Sequence, residues 1–375
     1  MKSVYWVILI SIFSILALPQ YATEVRKEEP FPFWYPEYAA QGNSSVAYSD
    51  GFGALFSNPA GFSLPKREIN LLNSVFSIYG SPKARVPLVR SLLRNSMSTS
   101  DETFLSEDLT GSGLGISSIF GLGYVGRGLG LGLLGGVEVV SSGDEYPSEL
   151  RGDVLSQFML VVGYAIQKEL WGVQFLLGAD IRPLIRIHAP LEERETALLL
   201  NHYLGTSIDP IIGNFYTDTY ALNGSGIGID LGLMVLWNSF SFGFVLQDLF
   251  DTQLFYSWND LSSVRDALSR GGLPPVNSPP DNAIYTIPMS LTVGAAYTTN
   301  FDAWKRVFQA RVHAEWLNPH RSSLSSFRAG AEATFFSTLS LRAGLHEGEP
   351  TYGLGLSIGI LTLNSAIFTR RIEQI

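Results

Sequence analysis

From Arg67 to the C-terminus, apolar and polar residues alternate one by one in run after run, and no other feature constrains the fold as much. A period of two is strand geometry, because successive side chains of a strand point to opposite faces. In 306–317, Phe308, Ala310, Val312, Ala314 and Trp316 share one face, and Gln309, Arg311, His313 and Glu315 share the other. In 324–336, Phe327, Ala329, Ala331, Ala333 and Phe335 oppose Arg328, Gly330, Glu332 and Thr334. The next two runs set Leu339, Leu341, Ala343 and Leu345 against Ser340, Arg342, Gly344 and His346, and Tyr352, Leu354, Leu356 and Ile358 against Gly353, Gly355 and Ser357. Earlier runs agree: Ile227, Ile229, Leu231, Leu233, Val235 and Trp237 alternate with Gly226, Gly228, Asp230 and Gly232. Thirteen such runs can be traced, near 68–79, 114–125, 128–141, 154–168, 171–182, 226–237, 239–248, 287–298, 306–317, 324–336, 338–346, 351–360 and 361–370.

A soluble sandwich and a membrane barrel both alternate in this way. Three features select the barrel. The apolar faces begin or end with Trp, Tyr or Phe, as interfacial girdles do. The polar faces are rich in Gly and Ser, which suits a crowded interior better than a solvated surface. Above all, the runs follow what reads as a signal peptide; the connections also alternate short and long, the asymmetry of outer-membrane barrels. The expected fold is therefore all-β: a transmembrane antiparallel β-barrel of about 14 strands, with 12 also compatible. An odd count of runs implies a missed strand, with 206–222 the place to look, or a final run wrongly included. Helical spacing in 88–98, 191–204 and 260–270 predicts short helices in external loops. The stretch Glu192-Glu193-Arg194-Glu195 suits a helix N-terminus.

The first residues follow a different rule. Lys2 precedes an apolar stretch from Val4 to Leu18, too short for a comfortable span, and Ala22 offers a cleavage site although Gln20 is not small. Residues 1–22 are read as a signal peptide, with an uncleaved anchor helix as the alternative. After them comes no apolar run of the roughly 20 residues that a spanning helix needs. Charged residues are only 16% of the 375, and there is no Cys, which removes thiolate chemistry, disulfides and Cys-type zinc sites. A net charge of −9 disfavours nucleic acid as a partner. The expected partners are membrane lipid, a hydrophobic small molecule and the barrel-assembly machinery, with no cofactor and no metal.

Between signal peptide and first strand, roughly 23–66, the chain does not alternate. Its centre runs from Gly42-Asn43-Ser44-Ser45 to Ser57-Asn58-Pro59-Ala60-Gly61-Phe62. A small-residue stretch followed by Asn-Pro-Ala-Gly resembles the N-terminal segment of FadL-type outer-membrane transporters of hydrophobic compounds, including PorV-like and spirochaete relatives. Phe242-Gly243-Phe244-Val245-Leu246-Gln247-Asp248-Leu249-Phe250 resembles a recurrent strand end of the same group. The resemblance implies a plug packed inside a fourteen-stranded barrel of a diderm bacterium's outer membrane. It carries the plug motif onto Asn58, Pro59, Ala60 and Gly61. The chain departs from the pattern at its end, Thr369-Arg370-Arg371-Ile372, where a clear final strand closing on an aromatic is usual. Independently of the resemblance, Phe31, Phe33, Trp34, Tyr35, Tyr38, Phe52, Phe56 and Phe62 are too many aromatics for a free tail, and must pack against something. The expected organisation is signal peptide 1–22, plug 23–66 and barrel 67–375.

The chemistry that remains is sparse. Gly121, Gly123 and Gly126 match a dinucleotide glycine pattern, but a second strand follows where a helix is required. The five histidines show no metal-binding spacing. Arg311, His313, Arg328 and Arg342 fall on the polar faces of three successive strands beside Glu315 and Glu332. They are either a network that pairs interior charges or a lumenal site for a carboxylate headgroup. The leading functional expectation, implied by the resemblance, is a non-enzymatic channel for passive uptake of hydrophobic molecules such as long-chain fatty acids. The alternative is a PorV-like barrel serving protein secretion or surface anchoring.

Overall fold

The computed structural model describes residues 25–64, 68–79, 114–142, 151–192, 219–270, 277, 279, 283–299, 307–318, 326–359 and 361–369. The signal-peptide assignment and the loop helix at 88–98 lie outside these residues, as does 193–204. Sixteen strands are present among them: β1 Val25–Lys27, β2 Glu68–Tyr79, β3 Leu114–Gly126, β4 Leu129–Ser142, β5 Arg151–Leu170, β6 Val173–Leu191, β7 Tyr220–Trp237, β8 Phe240–Gln247, β9 Thr252–Asp260, β10 Ile284–Ile287, β11 Ser290–Thr298, β12 Phe308–Leu317, β13 Phe327–Phe335, β14 Leu339–His346, β15 Glu349–Ile358 and β16 Leu361–Ile367. Two helices join them, α1 Pro36–Ala39 and α2 Leu261–Ser269.

The strands form one sheet in the order β16-β15-β14-β13-β12-β11-β8-β7-β6-β5-β4-β3-β2. Every neighbouring pair on this path is antiparallel. β8 and β9 share one partner: β7 pairs with β8 through Leu231–Trp237 and with β9 through Tyr220–Gly226. They are therefore two halves of one stave, broken at Asp248–Asp251, where Asp248, Phe250 and Asp251 adopt left-handed φ. β10 and β11 are likewise one stave, since β10 pairs with β9 and β11 with β8. Among the described residues the wall thus has thirteen staves along this path, beside the about 14, or 12, expected from the parity rule. With an odd number, β2 and β16 run in the same direction, and no pairing joins them among the described residues.

Short hairpins mark one end of the barrel. Trp171-Gly172 turns with φ of 54° and 77°, the left-handed pair that a two-residue hairpin requires. Arg127-Gly128 and Asn238-Ser239 close the same end, whereas Glu347-Gly348 closes a short hairpin at the other.

The outer face is apolar across most of the wall. Leu131, Leu133, Leu160, Val162, Ile181, Leu231, Val312, Leu341 and Leu354 all point outward and are exposed. A surface of this kind in water would be a contiguous apolar patch far beyond what soluble proteins carry. Trp237, Phe240 and Tyr297 cluster at the short-turn end, with ring centroids 6.4 and 5.0 Å apart, and Trp316, Phe327 and Tyr352 stand near the other. Aromatic girdles flanking an apolar band are the mark of a barrel in a bilayer. Among the described residues no helix is long and apolar enough to cross a membrane. A closed ladder is the only alternative that leaves few backbone groups unpaired in hydrocarbon.

Candidate functional site

The inner face of the wall is occupied by residues 28–64 of the same chain. These residues have little regular structure: α1, then single 3₁₀ turns at Gly51–Leu55 and Pro59–Ser63. They are nevertheless buried: Ala40, Gln41, Ser49, Ala54, Leu55, Asn58, Ala60 and Phe62 are essentially inaccessible. A segment without its own hydrogen-bond ladder must find partners elsewhere for its buried backbone groups. The wall supplies them, in two different ways on two different sides.

On the side built from β3 to β8, the wall supplies space. A methyl group added at Gly130 would lie 2.6 Å from the Phe62 ring, and one at Gly121 would lie 2.9 Å from Phe52. At Gly123 and Gly132 the intruded side chain is Leu55, and at Gly178 and Gly243 it is the backbone of Pro59 and of Val46. These are the inward glycines of the alternating runs, so the Gly-rich polar face seen in the sequence is the imprint of the segment. Phe52, Leu55 and Phe62 complete an apolar cluster with Leu134, Val161 and Leu184 of the wall.

On the side built from β12 to β15, the wall supplies hydrogen bonds. Glu315 Oε2 accepts from the backbone N–H groups of Ser45 and Val46, at 2.9 and 3.1 Å. Thr351 Oγ1 accepts from Gly42 N and donates to Ala40 O, both at 3.0 Å. His346 Nδ1 donates to Gly42 O at 3.1 Å. His313 Nε2 lies 3.0 Å from Gln41 Oε1, which can only accept, leaving Nδ1 to accept the Ser44 hydroxyl at 2.8 Å.

The arginines belong to this second side. Arg342 reaches Glu332 at 2.6 Å and Glu37 of α1 at 3.7 Å, and donates to Asn364 at 2.8 Å. Arg311 lies 3.7 Å from Glu332, and its guanidinium sits 4.4 Å from the centre of the Tyr48 ring. Arg328 lies 3.5 Å from Glu315 and reaches Asn43 O at 3.4 Å. Three guanidiniums thus meet the carboxylates of Glu37, Glu315 and Glu332. The structure places Arg311, His313, Arg328 and Arg342 on one inner face, where Arg311 and Arg342 share Glu332 and Arg328 pairs with Glu315, and sets them against the segment.

Asn58-Pro59-Ala60-Gly61 lies at the centre. Asn58 Oδ1 accepts from Ala60 N at 3.0 Å, capping the turn that Pro59 opens, while its Nδ2 donates to Val46 O at 2.8 Å and Leu233 O at 3.4 Å. One side chain therefore ties the turn to the segment and to β7. Ala60 packs on Leu176 and Met234, and a methyl group at Gly61 would lie 2.2 Å from Ser49 O.

A third cluster escaped the sequence reading. Arg186, fully buried, donates to Gln157 at 2.8 and 2.6 Å, to Glu28 at 2.9 Å and to Glu29 O at 2.9 Å. Tyr256 also donates to Glu28, at 2.9 Å, and His188 lies 3.5 Å from Glu28 and 2.8 Å from Asp153. Burial pushes the Glu28 carboxyl up, but the hydrogen bond from His188 and the charges of His188 and Arg186 outweigh it, and the net shift is downward. Beside it, β1 pairs in parallel with β10. The signal was present: Arg182, Leu184, Arg186 and His188 continue the inward face, but Pro183 ended the run too early.

No protein-family model and no curated relative matches the chain. Among solved structures it is similar to the toluene transporter TodX of Pseudomonas putida, at 15% identity over 88% of this chain and 90% of that one, with a TM-score of 0.41. It is also similar to a TodX deltaS2S3 mutant, described as a monoaromatic hydrocarbon channel, at 15% identity over 89% and 92% of the two chains, with a TM-score of 0.48.

Proposed function

We propose that the chain is an outer-membrane channel for hydrophobic small molecules, long-chain fatty acids among them, and that residues 23–66 are its plug. The single observation that carries the reading is the fit of an irregular segment into a barrel whose inner wall is cut back to glycine at many of the positions where the segment lies against it. A barrel used only as an anchor has no need for an interior so closely matched to a filler. Arg311, Arg328 and Arg342 act in this reading as fasteners of the plug, because their charge is already met by carboxylates. A fatty-acid headgroup would have to displace those acids, and the proposed specificity rests on the apolar interior alone.

The absence of native cysteine makes the reading testable. A methyl carbon at Gly294 would lie 3.7 Å from Ala47 Cβ, within the range of a disulfide. The double variant Ala47→Cys, Gly294→Cys, oxidised in proteoliposomes, should lose uptake of a labelled long-chain fatty acid and recover it on reduction. Equal uptake in both redox states means that the segment is fixed and is not a plug that moves. No uptake by the unmodified protein of either a fatty acid or an uncharged hydrocarbon would leave the secretion or anchoring role in its place.

A further inference from the structure

The outer wall carries a feature that the channel reading does not use. An apolar groove of about 500 Å³ lies across β5, β6, β7 and β8 on the lipid-facing side. Its origin is one small residue in a row of large ones. Tyr164, Ala179, Leu231 and Leu246 are successive cross-strand partners, and the methyl group of Ala179 leaves a gap between the Tyr164 ring and Leu231. Directly beside it, Gly178 pairs with Gly232, so the floor there is bare backbone.

We propose that this groove holds one hydrocarbon chain of a membrane lipid. The proposal rests on the reading that the strands cross a bilayer. The groove is continuous with the apolar band that faces hydrocarbon, and its lining offers almost no polar surface to anything else. Its volume falls in the range of dedicated ligand sites. A chain lying in it touches the backbone floor as well as the flanking side chains of Tyr164, Leu231 and Leu246, whereas its neighbours lie against the side chains of the band alone. The site also has an inner counterpart. A methyl group at Gly178 would lie 2.4 Å from Pro59 O, and one at Gly232 would lie 2.0 Å from Asn58 Oδ1. One layer of peptide thus separates the lipid chain from the Asn58-Pro59 turn, and the occupant bears on the thinnest part of the wall.

The test fills the groove from outside. Ala179→Phe puts a ring into the gap, and Val162→Phe adds the same ring to the flat part of the band. Each protein is reconstituted with phosphatidylethanolamine and phosphatidylglycerol, floated with the vesicles, then stripped in detergent and weighed intact by native mass spectrometry. The parent and Val162→Phe should each retain one phospholipid through stripping, and Ala179→Phe should retain at least tenfold less. Equal retention by Ala179→Phe and the parent, or no retained lipid on the parent, overturns the proposal. Failure of all three to float overturns the membrane reading itself and the site with it, an outcome that flotation records separately from retention.

Discussion

The two sides of the barrel hold the same segment in different proportions: glycines make room for it on both, at Gly330, Gly344 and Gly353 as at Gly130 and Gly132, while the side-chain hydrogen bonds to the backbone of residues 40–46 come from β12 to β15. From β3 to β8 the contacts are rings and methyl groups against glycine, as with Phe62 on Gly130 and Leu55 on Gly132. From β12 to β15 they are carboxylate, imidazole and hydroxyl groups against the bare backbone of residues 40–46. The difference follows from what each part of the segment presents. Residues 52–62 turn large apolar side chains outward and need room. Residues 40–46 are small and turn their peptide groups outward, and buried peptide groups need partners. The first kind of contact is tolerant in direction and strict in volume, and the second is the reverse.

That contrast can be broken most severely on the polar side. Glu315→Ala strands two buried N–H groups and leaves Arg328 without its acid. It should destabilise the folded protein by about 3–5 kcal/mol, read as a shifted denaturant midpoint in lipid vesicles. Glu315→Gln, which keeps an acceptor, should lose clearly less. If the two variants lose the same amount, the hydrogen bonds to Ser45 and Val46 contribute nothing and charge alone matters.

Next in size is a change on neither side. Ala331→Arg places a guanidinium on the outer face beside Val312 and Ala343, with an expected loss of about 2–4 kcal/mol near the bilayer midplane. Its inward neighbour Glu332→Gln should lose less, and equal tolerance at the two positions contradicts the assigned faces.

The apolar side makes a different prediction. Gly130→Val should destabilise by about 1–3 kcal/mol through overpacking against Phe62. Adding Phe62→Leu should recover part of that loss, since volume removed from the segment makes room for volume added to the wall. No such rescue is expected for Glu315→Ala with any substitution at Ser45, whose contribution is a backbone N–H. A double-mutant cycle without coupling between Gly130 and Phe62 would show that the imprint is incidental.

The smallest effect concerns Glu28. Its carboxyl is held below the ordinary range in the folded state, so its contribution is complete above the unfolded value, near 4.3, and is lost as pH falls through the lower folded value. The protection factors against hydrogen exchange of residues 25–29 should therefore fall on acidification below about pH 4, and Glu28→Gln should flatten that dependence. Protection that falls equally in both proteins assigns the effect to other groups.

Much of the wall was legible because alternation is a local signal. The outward faces of β11 to β15, and the shared inner face of Arg311, Arg328 and Arg342, follow from counting by two. What was missed lies where the count is interrupted. Asp248–Asp251 breaks one stave, so β9 was read as loop leading into a helix. There Asp248 accepts from Thr252 at 2.7 Å and gives its backbone N–H to Asp230 at 2.9 Å, replacing ladder bonds with side chains. Pro183 hid Arg186 in the same way. Glu315 and Glu332 stand beside the arginines in the sequence pattern, but Glu37 could not be read as a partner, because it is roughly three hundred residues away from Arg342 in sequence and meets it only through the fold.

The seam between β2 and β16 bears on how such a molecule is made. Trp34 stacks on Phe368 just after β16, with centroids 4.7 Å apart, and packs with Ala366. Phe33, Tyr35 and Phe56 line a crevice with Asn73 and Val75 of β2. The first and last staves therefore touch the same few residues of the segment, which precedes them both in the chain. A wall whose glycines are cut to a filler, and whose first and last staves both rest on it, is shaped as a casting is shaped on its mandrel. Strands that closed first would leave no passage for Phe52, Phe56 and Phe62 to enter in register, so the order of synthesis is also the order in which the interior has to be set.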